Sequence, residues 1–276
     1  MSTRILPIAF LCTLLVPMAC GDKDTTTDDS PTVEGDADAD SDTDTDTDSD
    51  TAVEASASLQ GVITDSDGNP IQGARVSMCK QVCRTDATDA TGAYSIASLE
   101  PWTHSFEVVV PDAAYSTPLV PLTMAADSDR TQNAVAMRLG ASQATPQSPR
   151  DVEITSGVWV NFGLDNVELP FGADGSTTAG VRVPTEHWLP VEVSGTVLAM
   201  WYLTPFDAHP TSGNLPFRLH NDLGLNPGDQ VQAWAADYNL AEWISAGTMT
   251  VSSDGATLEN DGTGLPVIAT LVLVQP

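Results

Sequence analysis

The run GVITDSDGNPIQGARV, residues 61–76, and the run TDATGAYSIASLEP, residues 88–101, decide the fold. Residues 65–70 form a dense turn signal, and apolar residues recur at every second position on both sides of it. A second turn signal precedes Tyr94 and Ile96, which show the same period of two. Short strands with a turn about every ten residues predict an antiparallel β-sandwich rather than a helical domain.

The same two runs resemble the carboxypeptidase regulatory-like domain, a transthyretin-like β-sandwich that is common in exported bacterial proteins. The matching positions are Gly61, Val62, Asp65, Gly68, Pro70, Ile71, Gly73, Ala74, Val76, Thr85, Asp89, Gly92, Tyr94 and Leu99. Trp102 and Thr103 depart from the pattern, since the family usually has glycine shortly after the proline that corresponds to Pro101. The resemblance spans residues 57–140 and implies a non-catalytic accessory or adhesive module that supplies no zinc ligands. We expect Gly73 to let two backbone segments approach closely.

The rest of the chain continues the β pattern. A linker rich in Pro, Ser, Gln and Ala at residues 141–150 is followed by short apolar runs and turn signals in residues 151–276. Residues 197–203 and 267–274 are apolar on both faces, which is typical of central strands that are covered on two sides. A short helix is expected at residues 238–244. The sequence therefore predicts an all-β protein in which a second antiparallel β-sandwich domain follows the first.

The N-terminal segment MSTRILPIAFLCTLLVPMAC has a basic start, an apolar core too short to span a bilayer and a small residue before Cys20. Residues 16–20 resemble a bacterial lipoprotein signal, whose cysteine is acylated after cleavage. Pro17 departs from that pattern, and ordinary cleavage near Ala19 stays as the alternative. The resemblance implies a signal peptide at residues 1–19 and a lipid on Cys20. This lipid would anchor the chain to a membrane of the bacterial cell envelope, at the outer membrane or the cell surface.

The acidic segment at residues 20–56 contains no aromatic residue and is filled with Asp, Thr, Ser and Ala. It cannot build a core, so we expect a disordered tether that its like charges keep extended. The alternating aspartates of residues 36–50 look superficially like a calcium loop. The glycine and the bidentate carboxylate that such a loop needs at fixed offsets are missing, so no formed metal site is predicted.

The formal net charge of the chain is −28 at pH 7, and the tether accounts for only part of it. No basic stripe interrupts the acidic sequence, so the phosphates of nucleic acids and of anionic membrane surfaces would be repelled. We therefore expect no nucleic-acid partner. Attachment to a membrane would depend on the lipid anchor.

The cysteines predict one disulfide. Cys12 lies in the signal and Cys20 is the expected lipidation site, which leaves Cys79 and Cys83 as a single pair in an exported protein. The alternatives are two free thiols or half of a zinc site, although no second Cys or His pair offers the further ligands that zinc needs. We predict a local bridge on a hairpin rather than a redox centre.

Recognised catalytic motifs are missing from the sequence: G-x-S-x-G, H-E-x-x-H, a P-loop and G-x-G-x-x-G do not occur. The histidines are His104, His187, His209 and His220, which are far apart and share no ligand spacing. We expect structural roles for them, with His104 in a turn beside Trp102 and His220 on a solvated strand face. No cofactor or metal is predicted. A catalytic triad formed by residues that are distant in the sequence stays as an alternative.

The tryptophans are the remaining functional signal: Trp102, Trp159, Trp188, Trp201, Trp234 and Trp243. Exposed tryptophan on a β-sandwich can stack on the apolar faces of sugar rings. Trp201 is expected in the core, and Trp102, in a predicted loop, is the candidate ligand contact. The sequence favours a non-enzymatic envelope lipoprotein whose modules have structural, adhesive or ligand-binding roles, with a glycan or a protein as the ligand. The alternatives are a carbohydrate- or peptidoglycan-binding surface protein and an enzyme with an unrecognised site in residues 151–276.

Overall fold

The computed structural model describes residues 56–170, 172–173 and 175–276. The predictions for the signal peptide, for Cys20 and for the acidic tether fall outside these residues. Within the described part the protein is nearly all β, and its only helical elements are the 3-10 turns Leu164–Asn166 and Thr185–His187. The predicted fold class is confirmed. No helix in this part is both long enough and apolar enough to cross a bilayer.

The first part of the described chain contains eight strands. They are β1 (Ala57–Asp65), β2 (Arg75–Cys79), β3 (Cys83–Ala87), β4 (Ala93–Leu99), β5 (Thr103–Val109), β6 (Leu119–Thr123), β7 (Asp129–Thr131) and β8 (Ala134–Ala136). Strand β1 pairs antiparallel with β4 and parallel with β7 and β8, whereas β3, β2, β5 and β6 form an antiparallel sheet in that order. Side chains of both sheets, such as Leu59 and Phe106, share one hydrophobic cluster, as a sandwich requires.

Aspartate side chains hold both predicted turns. Oδ1 of Asp65 accepts hydrogen bonds from the backbone N–H groups of Asp67 and Asn69, each at 2.9 Å, and Gly68 has a φ of +84°. The carboxylate of Asp89 organises the second turn in the same way. Because such turns form from a few consecutive residues, they are visible in the sequence.

The backbone of Gln132 comes so close to residue 61 that only glycine fits there. A Cβ atom on Gly61 would lie 2.0 Å from the carbonyl oxygen of Gln132. Gly73, which we expected to play this part, has a φ of +75°, and the nearest atom to its Cβ would be Cγ of Pro111 at 3.7 Å. That expectation was wrong, because the left-handed backbone and not crowding favours glycine at this position.

The second part contains the remaining strands. They are β9 (Gln143–Ala144), β10 (Arg150–Thr155), β11 (Val158–Phe162), β12 (Val167–Glu168), β13 (Thr177–Arg182), β14 (Thr196–Thr204), β15 (His209–Pro210), β16 (Phe217–His220), β17 (Gln230–Asp237), β18 (Glu242–Val251), β19 (Thr257–Asn260) and β20 (Thr270–Gln275). One sheet has the order β10-β11-β16-β19-β18-β17-β20-β14-β13-β9, and β12 pairs with β15. Strand β10 also contacts β13 and β14, so the large sheet curls back towards itself.

Strands β14 and β20 are apolar on both faces because each face belongs to a different core. Ala199, Trp201, Leu203, Leu271 and Leu273 pack inside the second part, whereas Met200, Tyr202, Val272 and Val274 join the hydrophobic cluster of the first part. The prediction of central strands covered on both sides is thereby confirmed. The division into two domains stays a prediction, and the two parts share this apolar layer.

The helix expected at residues 238–244 does not form. Oδ1 of Asp237 accepts a hydrogen bond from the N–H of Leu240 at 2.8 Å, and Ala241 has a φ of +54°, so the chain turns back sharply. Strands β17 and β18 then pair up to Asp237↔Glu242. The prediction was wrong because hairpin pairing overrides a weak local helical preference.

Candidate functional site

A cleft of about 450 Å³ lies where strands β5 and β6 of the first part meet β17 and β18 of the second. Trp234 and Trp243 line it, and we call it the tryptophan cleft. Its other lining residues are Thr103, Pro121, Thr123, Glu192, Val193, Ser194, Gln232, Ala241 and Glu242. This volume falls within the range of about 300–1,000 Å³ that is typical of ligand pockets.

The strand register explains why both tryptophans line the same cleft. Trp234 on β17 is opposite Ser245 on β18, and Trp243 is opposite Ala236, two residues further along the hairpin. The two rings therefore stand on one face of the hairpin as diagonal neighbours, a spacing of roughly 7–8 Å between positions. Both side chains are half-buried, so part of each ring packs on the core and part faces the cleft.

Polar side chains without internal partners surround the two rings. Within the described chain, the side chains of Gln232, Ser194 and Glu242 make no hydrogen bond or ion pair. They offer an amide, a hydroxyl and a carboxylate to a bound molecule. The indole N–H groups of Trp234 and Trp243 are buried and also lack an acceptor among the described residues.

Glu192 forms a fixed rim of the cleft. Its carboxylate accepts hydrogen bonds from the hydroxyl of Thr123 at 2.6 Å and from a guanidinium nitrogen of Arg130 at 3.4 Å. The hydroxyl of Thr123 in turn lies 2.9 Å from that of Thr103. These bonds connect the segment before β14 to β5 and β6, which keeps the rim of the cleft in place.

Trp102, the candidate ligand contact from the sequence, lies outside the tryptophan cleft. Its side chain is 40% exposed, and its ring centroid is 6.1 Å from that of His104. It lines none of the cavities that we describe, and its role as a ligand contact stays a prediction. Trp201 is buried, as expected. The alternation of Gln230, Gln232 and Trp234 with small apolar residues was the sequence signal for a polar, aromatic strand face.

Three histidines have surroundings that suit structural roles. His104 is completely buried on β5 and not in a turn, and its Nε2 lies 2.9 Å from the carbonyl oxygen of Glu100. The expected turn position was wrong because β5 already begins at Thr103. His187 closes the second 3-10 turn, and His220 is exposed on β16, as predicted.

His209 belongs to a buried acidic cluster. Its Nε2 lies 3.0 Å from Oδ1 of Asp207, and its Nδ1 lies 4.0 Å from Oδ2 of Asp237. The hydrogen bond to Asp207, reinforced by the charges of Asp237 and Glu168, raises the pKa of His209 above its usual value. The side-chain amide of Asn239 also lies 3.4 Å from Nε2. Among the described residues, the ring nitrogens of His209 make no hydrogen bond to a hydroxyl or thiol.

Glu107 extends the cluster across the two parts of the chain. Burial raises the pKa of Glu107, and the Asp207 carboxylate adds to this rise, whereas the guanidinium of Arg75 at 3.3 Å opposes it. Burial, followed by the charge of Glu107, raises the pKa of the Tyr238 hydroxyl. The cluster thus combines four carboxyl groups with one arginine and one histidine. In the described part of the chain, no group of three or more Cys, His, Asp or Glu side chains is suited to hold a metal ion.

The predicted disulfide between Cys79 and Cys83 is present. The two residues are directly opposite each other in the β2–β3 pairing, with their Cα atoms 4.1 Å apart. The hydroxyl of Tyr238 donates a hydrogen bond to Sγ of Cys79 at 3.0 Å, and the hydroxyl of Ser105 donates one to the carbonyl oxygen of Tyr238 at 2.6 Å. The turn that leads into the tryptophan cleft therefore rests on the bridged hairpin.

Comparison with protein families supports the identity of the first part. Residues 58–138 match the model of the carboxypeptidase regulatory-like domain, which confirms the resemblance seen in the sequence. The match covers well under half of the chain. No curated protein is similar enough to this chain to count as a relative.

The solved structures that this chain resembles are distant. A Streptococcal ancillary pilin is 13% identical, with a TM-score of 0.26, and the match covers 77% of this chain and 51% of the pilin. A candidate carbohydrate binding protein from Bacteroides uniformis ATCC 8492 is 10% identical, with a TM-score of 0.26 and 79% of each chain covered. The major pilin subunit of Bacillus cereus is 12% identical, with a TM-score of 0.24, over 76% of this chain and 85% of the pilin. This chain thus spans about half the length of the ancillary pilin, and none of these likenesses bears on function.

Proposed function

We propose that this protein is a non-enzymatic binding protein that holds the ring face of a carbohydrate in the tryptophan cleft. The observation that carries the proposal is the pair Trp234 and Trp243 on one face of a hairpin, inside a cleft of about 450 Å³. Its placement in the cell envelope depends on the lipoprotein-like signal that ends at Cys20.

The chemistry of the cleft suits a sugar better than a flat apolar ligand. A pyranose ring has an apolar face that stacks on indole and a rim of hydroxyl groups that need hydrogen-bond partners. Gln232, Ser194 and Glu242 supply such partners next to the rings. A charged polyanion would be disfavoured, because two carboxylates line the cleft and the chain carries a net charge of −28.

Binding to soluble oligosaccharides of glucose, galactose and N-acetylglucosamine tests the proposal. We expect the full-length chain to bind at least one of them, as measured by quenching of tryptophan fluorescence. Replacing Trp234 or Trp243 with alanine should weaken that binding about tenfold or more, which is the effect usual for a central aromatic contact.

Two further variants keep the test specific. Gln232→Ala removes a polar group of the cleft without deleting an aromatic ring, and it should also weaken binding. Trp102→Ala is the matched control and should leave binding unchanged. Binding that is lost in Trp102→Ala but kept in Trp234→Ala and Trp243→Ala would contradict the proposal and would support the contact predicted from the sequence.

A further inference from the structure

A second cleft, of about 590 Å³, lies on a different part of the surface and contains an arginine that has no acidic partner among the described residues. Arg138 lines it together with Tyr115, Thr117, Val109, Phe206 and Asp112, and we call it the Arg138 cleft. It shares no lining residue with the tryptophan cleft. Any role for it is therefore independent of the function proposed above.

Arg138 stands out among the basic side chains because of its surroundings. Arg75, Arg84, Arg130, Arg182 and Arg218 each lie within 4 Å of a carboxylate. Among the described residues, only Lys80, Arg138 and Arg150 have no such partner, and only Arg138 of these three lines a cavity described here. In a chain with a net charge of −28, this guanidinium faces a cleft without a carboxylate partner in the described part of the chain.

Tyr115 contacts the guanidinium through both its ring and its hydroxyl. The Cζ atom of Arg138 lies 4.9 Å from the centroid of the Tyr115 ring, and Nη2 donates a hydrogen bond to the Tyr115 hydroxyl at 3.4 Å. The backbones of the two residues form an antiparallel bridge, and the N–H of Leu139 donates to the carbonyl oxygen of Ala114 at 2.8 Å. A stacked guanidinium keeps its remaining N–H donors free and aligned in one plane.

We propose that the Arg138 cleft binds a molecule with an apolar body and one carboxylate. The planar fork of Arg138 matches the two oxygens of a carboxylate, and Val109 and Phe206 offer apolar surface for the rest of the molecule. Asp112 lines the same cleft, with its Oδ1 engaged by the N–H of Ala114 at 2.9 Å. Its charge, together with that of the whole chain, favours a monoanion over a phosphate dianion.

Benzoate, benzamide and phenyl phosphate are suitable probes for the full-length chain, with binding followed by ligand-observed NMR. Benzoate should bind, and benzamide, which has no charge, should bind much more weakly. Arg138→Gln should weaken benzoate binding about tenfold or more, as expected for the loss of a charge-assisted hydrogen bond. The matched control is Arg150→Gln, which removes an equally unpaired arginine on β10 outside the cleft and should have no effect.

Two other variants distinguish binding at this site from a general electrostatic effect and from a folding defect. Arg138→Lys keeps the charge but loses the planar fork, so its affinity should fall between those of the native chain and Arg138→Gln. Ala113→Trp fills the cleft with Arg138 still present and should abolish binding. Circular dichroism checks that each variant is folded.

Several results would overturn the proposal. These are no binding of benzoate to the native chain, an equal loss in Arg138→Gln and Arg150→Gln, and unchanged binding in Ala113→Trp. Tighter binding of phenyl phosphate than of benzoate would contradict the carboxylate as the recognised group.

Discussion

Residues 57–140 and residues 141–276 differ in how clearly turn residues mark their strands. In the first part, hairpin β2–β3 and the turns at Asp65 and Asp89 join neighbouring stretches of sequence, although β1 also pairs with the distant strands β7 and β8. In the second part, hairpins such as β17–β18 are combined with the pairing of β11 with β16 and of β14 with β20 across long stretches of chain. The comparison teaches that turns held by local side chains make a module recognisable, whereas pairings between distant strands leave few marks in the sequence.

The largest expected effect concerns the apolar layer that the two parts share. Tyr202 on β14 is 2% exposed and packs in the hydrophobic cluster of the first part. Replacing it with alanine should lower the free energy of unfolding by about 3–5 kcal/mol, because a large buried ring is lost. We expect one denaturant-induced transition for both parts, measured by circular dichroism and by tryptophan fluorescence.

The control for this change is Tyr202→Phe. The Tyr202 hydroxyl is buried without a hydrogen-bond partner in the described residues, so its removal should leave the free energy of unfolding nearly unchanged or slightly higher. Two separate transitions, of which Tyr202→Ala shifts only one, would show that the parts fold independently. That result would favour the prediction of two separate domains.

A smaller effect distinguishes a glycine that close packing requires from a glycine that a turn requires. Gly61→Ala places a Cβ atom 2.0 Å from a backbone oxygen, which cannot move away easily, so we expect a loss of about 1–3 kcal/mol in unfolding free energy. Gly68→Ala is the control with no atom within 4 Å of the new Cβ and a positive φ, and it should cost roughly 1 kcal/mol. Thermal or denaturant unfolding measures both losses. Equal losses of unfolding free energy in the two variants would mean that neighbouring atoms move and relieve the crowding at Gly61.

The smallest effect is a dependence of stability on pH at the acidic cluster. The pKa of His209 is raised above its value of 6.5 in the unfolded chain, chiefly by Asp207, so the folded protein binds this proton more tightly. The stabilisation of the folded protein by protonated His209 is complete below pH 6.5 and is lost as the pH rises through the folded-state pKa. The melting temperature should therefore fall as the pH rises through this window.

The pH effect can be assigned to this side chain by substitution. His209→Gln should remove the dependence, and His220→Gln, at an exposed position in no ion pair of the described chain, should keep it. The same slope in His209→Gln and in the native protein would contradict the assignment.

The sequence was sufficient for the fold class and for the architecture of the first part. Alternating apolar residues and Asp-Gly turns identify the strands, and the continuous apolar runs at residues 197–203 and 267–274 indicate doubly covered strands. Cys79 and Cys83 were also paired correctly, since the predicted signal peptide and lipidation site accounted for the other two cysteines. All of these features depend on residues that are close together in the chain.

The sequence predicted the type of side chain in the candidate site but not its position. Tryptophan as a ligand contact stays a prediction, and the choice among the six tryptophans depends on which rings share a cleft. Trp234 and Trp243 meet through the register of one hairpin, and the opposite wall comes from Thr103 and Thr123, more than a hundred residues earlier in the chain. No local pattern encodes that meeting.

The position of β20 has a consequence for the route by which this protein reaches its native state. Both of its neighbours, β14 and β17, come earlier in the chain. Until residues 270–275 insert between them, each presents an open edge, and such edges pair readily with foreign strands. Chain emergence and core closure are therefore separated in time, and the nascent chain needs protection from aggregation until β20 arrives.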